Sequence, residues 1–321
     1  MKTNAIKLLL AAMIAANACT ALADNYGGCD PAISTLMENT SIIGRYETGA
    51  GMMPGDIAPL GKLPFRMKDL KRPVFKNTTM TISHADIDSR GMITDAVNSK
   101  IEQLSRKGGG RLVIPEGHWL SGRLILKSGV DLHLDRGCTL EFSADINDYQ
   151  PALFTRHEGI EIMGAGAFIY AHKAKNIALT GQGTVMGPPM DAGMRRLKNG
   201  NSVVERDIDH RSPVASRICD GKEGRTFYRP KSFAPIDCRN VLVEGVTFER
   251  SVLWNINPIY CENVIIRGVT VNSEKVPSGD GIDISSCRNV LIEYSTLNCG
   301  DDCFTLKSGR AEDGIRVGRP T

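Results

Sequence analysis

Three units of the form Cys-x-Asn-Val, Cys238 to Val241, Cys261 to Val264 and Cys287 to Val290, recur at intervals of 23 and 26 residues. Asn176-Ile-Ala-Leu opens an earlier segment of the same kind, and Gly181, Gly245 and Gly268 close three of the apolar runs. Val-Thr-Phe, Val-Thr-Val and Ser-Thr-Leu follow the last three runs. A coil of this length cannot bury an apolar face alone, so it must stack on its neighbours. The pattern predicts a right-handed parallel β-helix, each coil made of several short strands, with an Asn stack and a Cys stack at its turns. Handedness follows from the general chirality of parallel crossovers. The repeated Asn reads as a side-chain ladder rather than a ligand site.

Upstream of the repeats, Arg111 to Pro115, Gly122 to Leu126, Val130 to Leu134 and Cys138 to Phe142 read as short strands parted by Gly, Ser or Asp. Before them, Ile93, Val97, Ile101 and Leu104 stand at helical spacing in the segment from Ile93 to Lys107, which stops at Gly108-Gly109-Gly110. This short helix should cap the N-terminal end of the solenoid. The β-helix is assigned to 77–321 and an extended, Gly- and Pro-punctuated lead-in to 24–76.

Met1 to Ala23 reads as a signal peptide: Lys2 and Lys7, an apolar run from Leu8 to Ala16, then the small-x-small site Ala21-Leu22-Ala23. The run is about half the length of a membrane span, so the expectation is a secreted or periplasmic protein with no membrane span. Without those residues the chain has 37 basic against 36 acidic side chains, which offers no basic excess for nucleic acid. A monomer is expected. Cys238, Cys261 and Cys287 read as small buried residues, and Cys299 with Cys303 could bridge or pack. A zinc site is the third choice, since Cys299-x-x-x-Cys303 finds no second ligand pair at the usual spacing; no cofactor is expected.

Three aspartates form a constellation. Asp280 precedes the adjacent pair Asp301 and Asp302 by 21 positions, close to one repeat length. Stacked coils lie about 4.8 Å apart, so the three carboxyl groups should share one patch. Crowded like charges cannot all ionise cheaply, and at least one pKa should rise to supply a proton donor near neutrality. Gly300 makes plausible the bend that lets neighbouring Asp301 and Asp302 share a site. Paired carboxylates are the working parts of glycoside hydrolysis. Asp283 alternates with Ile282 and Ile284 and should face outward near Asp280; Lys307 shares the outward phase of Thr305. Either suits contact with an acidic sugar. A polar excursion between Gly187 and Arg229, rich in arginine, interrupts the repeats and is either a binding loop or a solvated surface.

Ser278-Gly-Asp-Gly-Ile-Asp-Ile and Cys299-Gly-Asp-Asp-Cys-Phe-Thr-Leu-Lys-Ser-Gly resemble the first two motifs of the polygalacturonase family, glycoside hydrolase family 28. Further likeness lies in Gly108-Gly-Gly-Arg-Leu-Val-Ile-Pro-Glu-Gly, in Leu126-Lys-Ser-Gly-Val-Asp-Leu, and in Phe233 to Thr270 with Trp254, so it runs from about Arg72 onward. The resemblance implies a parallel β-helix enzyme that hydrolyses pectin, the α-1,4-linked galacturonan, with inversion and without metal. It implies Asp301 as general acid and Asp280 with Asp302 as the pair that holds and activates water. Where the family commonly has Asn-Thr-Asp, this chain has Ser278-Gly279-Asp280. The family's Gly-His-Gly and Arg-x-Lys motifs normally lie downstream of the Asp pair. The chain stops at Thr321, which predicts missing C-terminal coils, with Arg316 to Thr321 read as the start of one. Rival expectations are a calcium-dependent pectate lyase, a non-catalytic carbohydrate-binding β-helix, and an inactive fragment of the hydrolase.

Overall fold

Each repeated Asn stands at a left-handed turn. Asn176, Asn240, Asn263 and Asn289 have φ of 52, 57, 59 and 55°, a region that Asn enters at little cost. The same side chains form a ladder: Asn240 Nδ2 donates to Asn176 Oδ1 at 2.8 Å, Asn263 to Asn240 at 3.0 Å and Asn289 to Asn263 at 3.0 Å. One residue type therefore serves both the backbone turn and the stacking of coils.

The structure, a computed structural model, describes residues 53–61, 63, 65–196, 204 and 208–321. The signal peptide 1–23 and the lead-in up to residue 52 lie outside the described residues, as do Lys198, Glu205, Arg206 and Asp207 of the excursion. Among the described residues, no helix is long and apolar enough to cross a membrane.

A parallel sheet of seven strands runs through Thr79–Thr81, Gly110–Ile114, Val130–Leu134, Lys175–Gly181, Arg239–Glu244, Glu262–Arg267 and Arg288–Glu293. A second, of six strands, comprises Gly117–Ser121, Cys138–Phe142, Thr184–Met186, Thr247–Glu249, Thr270–Ser273 and Thr296–Cys299. A third face is built by Leu124–Leu126, Ala167–His172 and Lys231–Ile236, then by Ile282–Ser285 and Phe304–Lys307. Ile256 and Ile259 bridge its two parts, pairing with Phe233 and Ile236 on one side and with Ile282 and Ser285 on the other. The fold is the expected right-handed parallel β-helix.

Register places like on like: Val241 pairs with Val264 and Val264 with Val290. These stacks, with Ile177, Val243, Ile266, Phe233, Ile256 and Ile282, fill the interior. Each fully buried aliphatic side chain contributes about 1.5–3 kcal/mol, so the core is an additive column. Cys238, Cys261 and Cys287 form the predicted stack of buried free thiols, and the Cys261 N–H donates to Cys287 Sγ at 3.3 Å. Thr94–Arg106 is the capping helix, within one residue of expectation at each end, and buries Val97, Ile101 and Leu104.

Two features depart from expectation. Residues 53–75 do more than lead in: Ile57, Met67, Leu70 and Phe75 pack on Ala178, Leu242, Ile265 and Leu291, the outer face of the seven-stranded sheet. Buried Arg267 secures this strap, donating to Pro54 O at 2.8 Å while pairing with Glu293 at 2.8 Å. Of the residues read as the start of another coil, Arg316 and Val317 are helical. Ala311–Val317 is a helix whose first turn carries Glu312 and Asp313, and it ends at Gly318 in the left-handed region. Asp313 anchors it by accepting from the Glu161 N–H at 2.8 Å and from buried Arg217 at 2.8 and 2.9 Å.

Within the excursion the arginines act as braces. Arg195 donates to Ser251 O at 2.7 Å and Pro188 O at 2.9 Å, and Arg225 pairs with Asp220 at 2.8 Å.

Candidate active site

The third face carries the aspartates because two successive coils start their strands one above the other. The Gly281 N–H donates to Asp302 O at 2.9 Å and the Ile282 N–H to Cys303 O at 3.0 Å. Asp280 therefore lies beside Asp302 at the strand spacing, about 4.8 Å. The chain bends at Gly300 and Asp301 before Phe304–Lys307 begins. A side chain at Gly300 would place its Cβ 2.7 Å from Glu274 O and 2.8 Å from Ser273 O. Glycine is thus required for the turn to approach the coil below. Asp301 and Asp302 are exposed, whereas Asp280 is buried.

Two asparagines fasten the backbone that carries Asp280 and Asp283 from behind. Asn255 donates from both its backbone N–H and Nδ2 to Asp280 O, each at 2.9 Å, and Asn257 Nδ2 donates to Asp283 O at 2.6 Å. Ser273 Oγ donates to Gly279 O at 2.5 Å. Every one of these bonds restrains backbone at 279–283, so the Asp280 side chain leaves a fixed frame.

Burial and neighbouring charge both act on Asp280. Burial pushes Asp280 up to about 7, the neighbouring Asp283 charge adds to the rise, Lys307 opposes it, and Asp301 contributes a smaller lift. The expected elevation is present, and it falls on Asp280, which the resemblance places in the base pair. Depth decides this: Asp280 sits under the turn that carries the exposed pair.

Asp283 is on the outward phase and beside Asp280, as expected, but it has no exposed surface. It accepts from Thr305 Oγ1 at 2.5 Å and lies 3.2 Å from Lys307 Nζ. A sugar cannot touch Asp283 where it stands. Lys307 Nζ lies 3.6 Å from Asp280 Oδ2 and 4.5 Å from the ring centroid of Trp254. Burial also raises Asp283, against Thr305 and Lys307.

Trp254 and Lys231 belong to this cluster and were not predicted for it. Lys231 Nζ lies 5.7 Å from the Trp254 centroid and donates to Arg156 O at 2.8 Å, and burial pushes its ammonium down to about 8. Neither residue lies in an aspartate motif. The available signal was register, since Lys231 opens the strand two coils below Ile282–Ser285. Cys299 and Cys303 flank the aspartate pair as free thiols, Cys299 half-buried and Cys303 exposed. Among the described residues, no three His, Cys, Asp or Glu side chains are grouped as a metal site requires.

Comparison with known proteins agrees with this geometry. Residues 215–317, which include all three aspartates, match the profile of Glycosyl hydrolases family 28. A "Probable polygalacturonase" of Vitis vinifera is 26% identical over 242 residues, 73% of this chain and 45% of that protein. An "Exo-poly-alpha-D-galacturonosidase" of Dickeya chrysanthemi is 25% identical over 252 residues, 70% of this chain and 41% of that protein. The chain spans less than half the length of these curated relatives. Among solved structures, the hyperthermoactive exopolygalacturonase of Thermotoga maritima superposes with a TM-score of 0.69 at 33% identity, over 78% of this chain and 59% of that one. Stacked parallel coils, an aspartate on one coil under an aspartate pair on the next, and the match of residues 215–317 across both motifs make this chain similar to glycosyl hydrolases family 28.

Proposed function

We propose that this chain carries the catalytic centre of an exported hydrolase that cleaves α-1,4-galacturonosyl linkages of pectin with inversion. The observation that carries the reading is the stacking of buried Asp280 beneath exposed Asp301 and Asp302. Asp301, at the tip of the bend, is placed to protonate a leaving oxygen that approaches from solvent. Asp280, lifted to about 7, matches a general base that works near neutrality. Asp302, beside Asp280 in the ladder, helps hold the water that Asp280 deprotonates. The pectic polymer is the partner, a monomer is the acting state, and the leader Met1 to Ala23 directs export.

Release of reducing ends from polygalacturonic acid by the product of the whole source gene tests the reading, with the Asp301→Asn variant as control. Release by the parent and not by the variant supports it. Products that absorb as unsaturated uronides, with loss of activity on chelation, would mark a lyase instead. Retention of the polymer without cleavage would mark a binding protein.

A further inference from the structure

Below the three aspartates lies a layer of charge that solvent scarcely reaches. Asp283 is wholly buried and Trp254 nearly so. Lys307 Nζ touches both carboxylates, at 3.2 Å from Asp283 and 3.6 Å from Asp280, and rests on the indole face. This contact suits a cation held by a ring quadrupole. Lys231 approaches the same indole and adds positive charge near Asp283.

Two carboxyl groups at this depth cannot both be ionised beside one bridging ammonium without strong repulsion. Asp280 Oδ1 and Asp283 Oδ2 are buried acceptors without a donor. A proton on one of the two carboxyl groups leaves a single negative charge beside the ammonium that bridges them. Thr305 donates toward Asp283, which favours the negative charge there and the proton on Asp280.

We propose that Asp283 and Lys307 are positioning residues that act on Asp280 with opposite sign, Asp283 holding its proton on and Lys307 drawing it off. The proposal rests on the reading of Asp280 as the base, and it reassigns both residues from sugar contact to control of that base. The charged or titratable groups facing Asp280 are Asp283, Lys307, Asp301 and Cys299, with Asp302 beside it in the ladder, and Lys231 faces Asp283. Trp254 is the uncharged wall on which both lysines lie.

The test follows Asp280 directly by carboxyl 13C NMR titration of the Asp-labelled protein, beside the pH dependence of kcat/KM on polygalacturonic acid. Asp283→Asn should move the Asp280 midpoint to lower pH and Lys307→Met to higher pH, each by on the order of one unit. The acidic limb of the rate profile should move with it. Where Asp283→Asn does not fold, the sign of the Lys307→Met shift decides. Shifts in the same direction, or no shift in either variant, overturn the proposal, as does a Lys307→Met variant that raises KM with an unmoved titration. Opposite shifts in a protein that cleaves no galacturonan at any pH would uphold the charge device and sink the hydrolase reading.

Discussion

Arg217 Nη1 stands 2.8 and 2.9 Å from the two carboxylate oxygens of Asp313, and both side chains are almost wholly buried. The pair joins the polar excursion to the helix Ala311–Val317, which follows the aspartate motif. Burial pushes Asp313 up, but donors from Arg217, the Glu161 N–H and Arg316 outweigh it and leave the carboxyl below its ordinary range. Removing one partner strands the other charge. Asp313→Ala should cost about 3–5 kcal/mol in urea unfolding, and the double variant with Arg217→Met less than the sum of the two single changes. For a depressed carboxyl, the stabilisation is full above about pH 4, the unfolded value. It fades as pH falls through the lower folded one.

Loss of activity should separate from loss of fold at the exposed pair. On the proposed reading, Asp301→Asn removes a proton donor and Asp302→Asn a water-holding oxygen, and both keep shape. Each should lower kcat/KM on polygalacturonic acid by about 10²–10⁴, with an unfolding midpoint unchanged within error.

Asp280→Asn should lose activity and gain stability together. Because its folded midpoint, about 7, lies above the unfolded value of about 3.9, the native protein binds more protons across that interval. Stability from this group therefore falls as pH rises from about 4 to about 7. The amide variant escapes the fall. Unfolding at pH 4, 5.5 and 8 should show it gaining on the parent up to about 7 and then levelling, by on the order of 1–2 kcal/mol. A gap that does not change with pH would contradict the buried-carboxyl account.

The Asn ladder makes a prediction about backbone as well as side chain. Asn263 donates to Asn240, accepts from Asn289 and holds φ of 59°. Asn263→Ala loses both bonds and meets the left-handed penalty, for a cost of about 2–4 kcal/mol. Asn263→Gly keeps the turn and should cost less, and the difference between the two unfolding energies isolates the strain.

Much of the scaffold was legible because its causes are local or periodic. The capping helix was bounded to within a residue by the spacing of Val97, Ile101 and Leu104 and by the glycine stop. The ladder was legible because one residue type recurs at one phase. The helix Ala311–Val317 was hidden: it exposes Ile315 and buries Asp313, the reverse of the pattern by which helices are recognised. Its stability comes from Arg217, 96 positions away. The strap over the seven-stranded sheet was hidden for the same reason, since Arg267 reaches Pro54 across 213 positions.

At the site the division is similar. Repeat length alone brought Asp280 under Asp301 and Asp302, because stacking converts sequence interval into distance along the solenoid axis. Depth could not be read that way. Alternation places Asp283 on the outer face, and only the packing of Thr305, Lys307 and Trp254 over it removes it from solvent. The same packing raises Asp280, since desolvation depends on what covers a group and not on where it falls in a repeat.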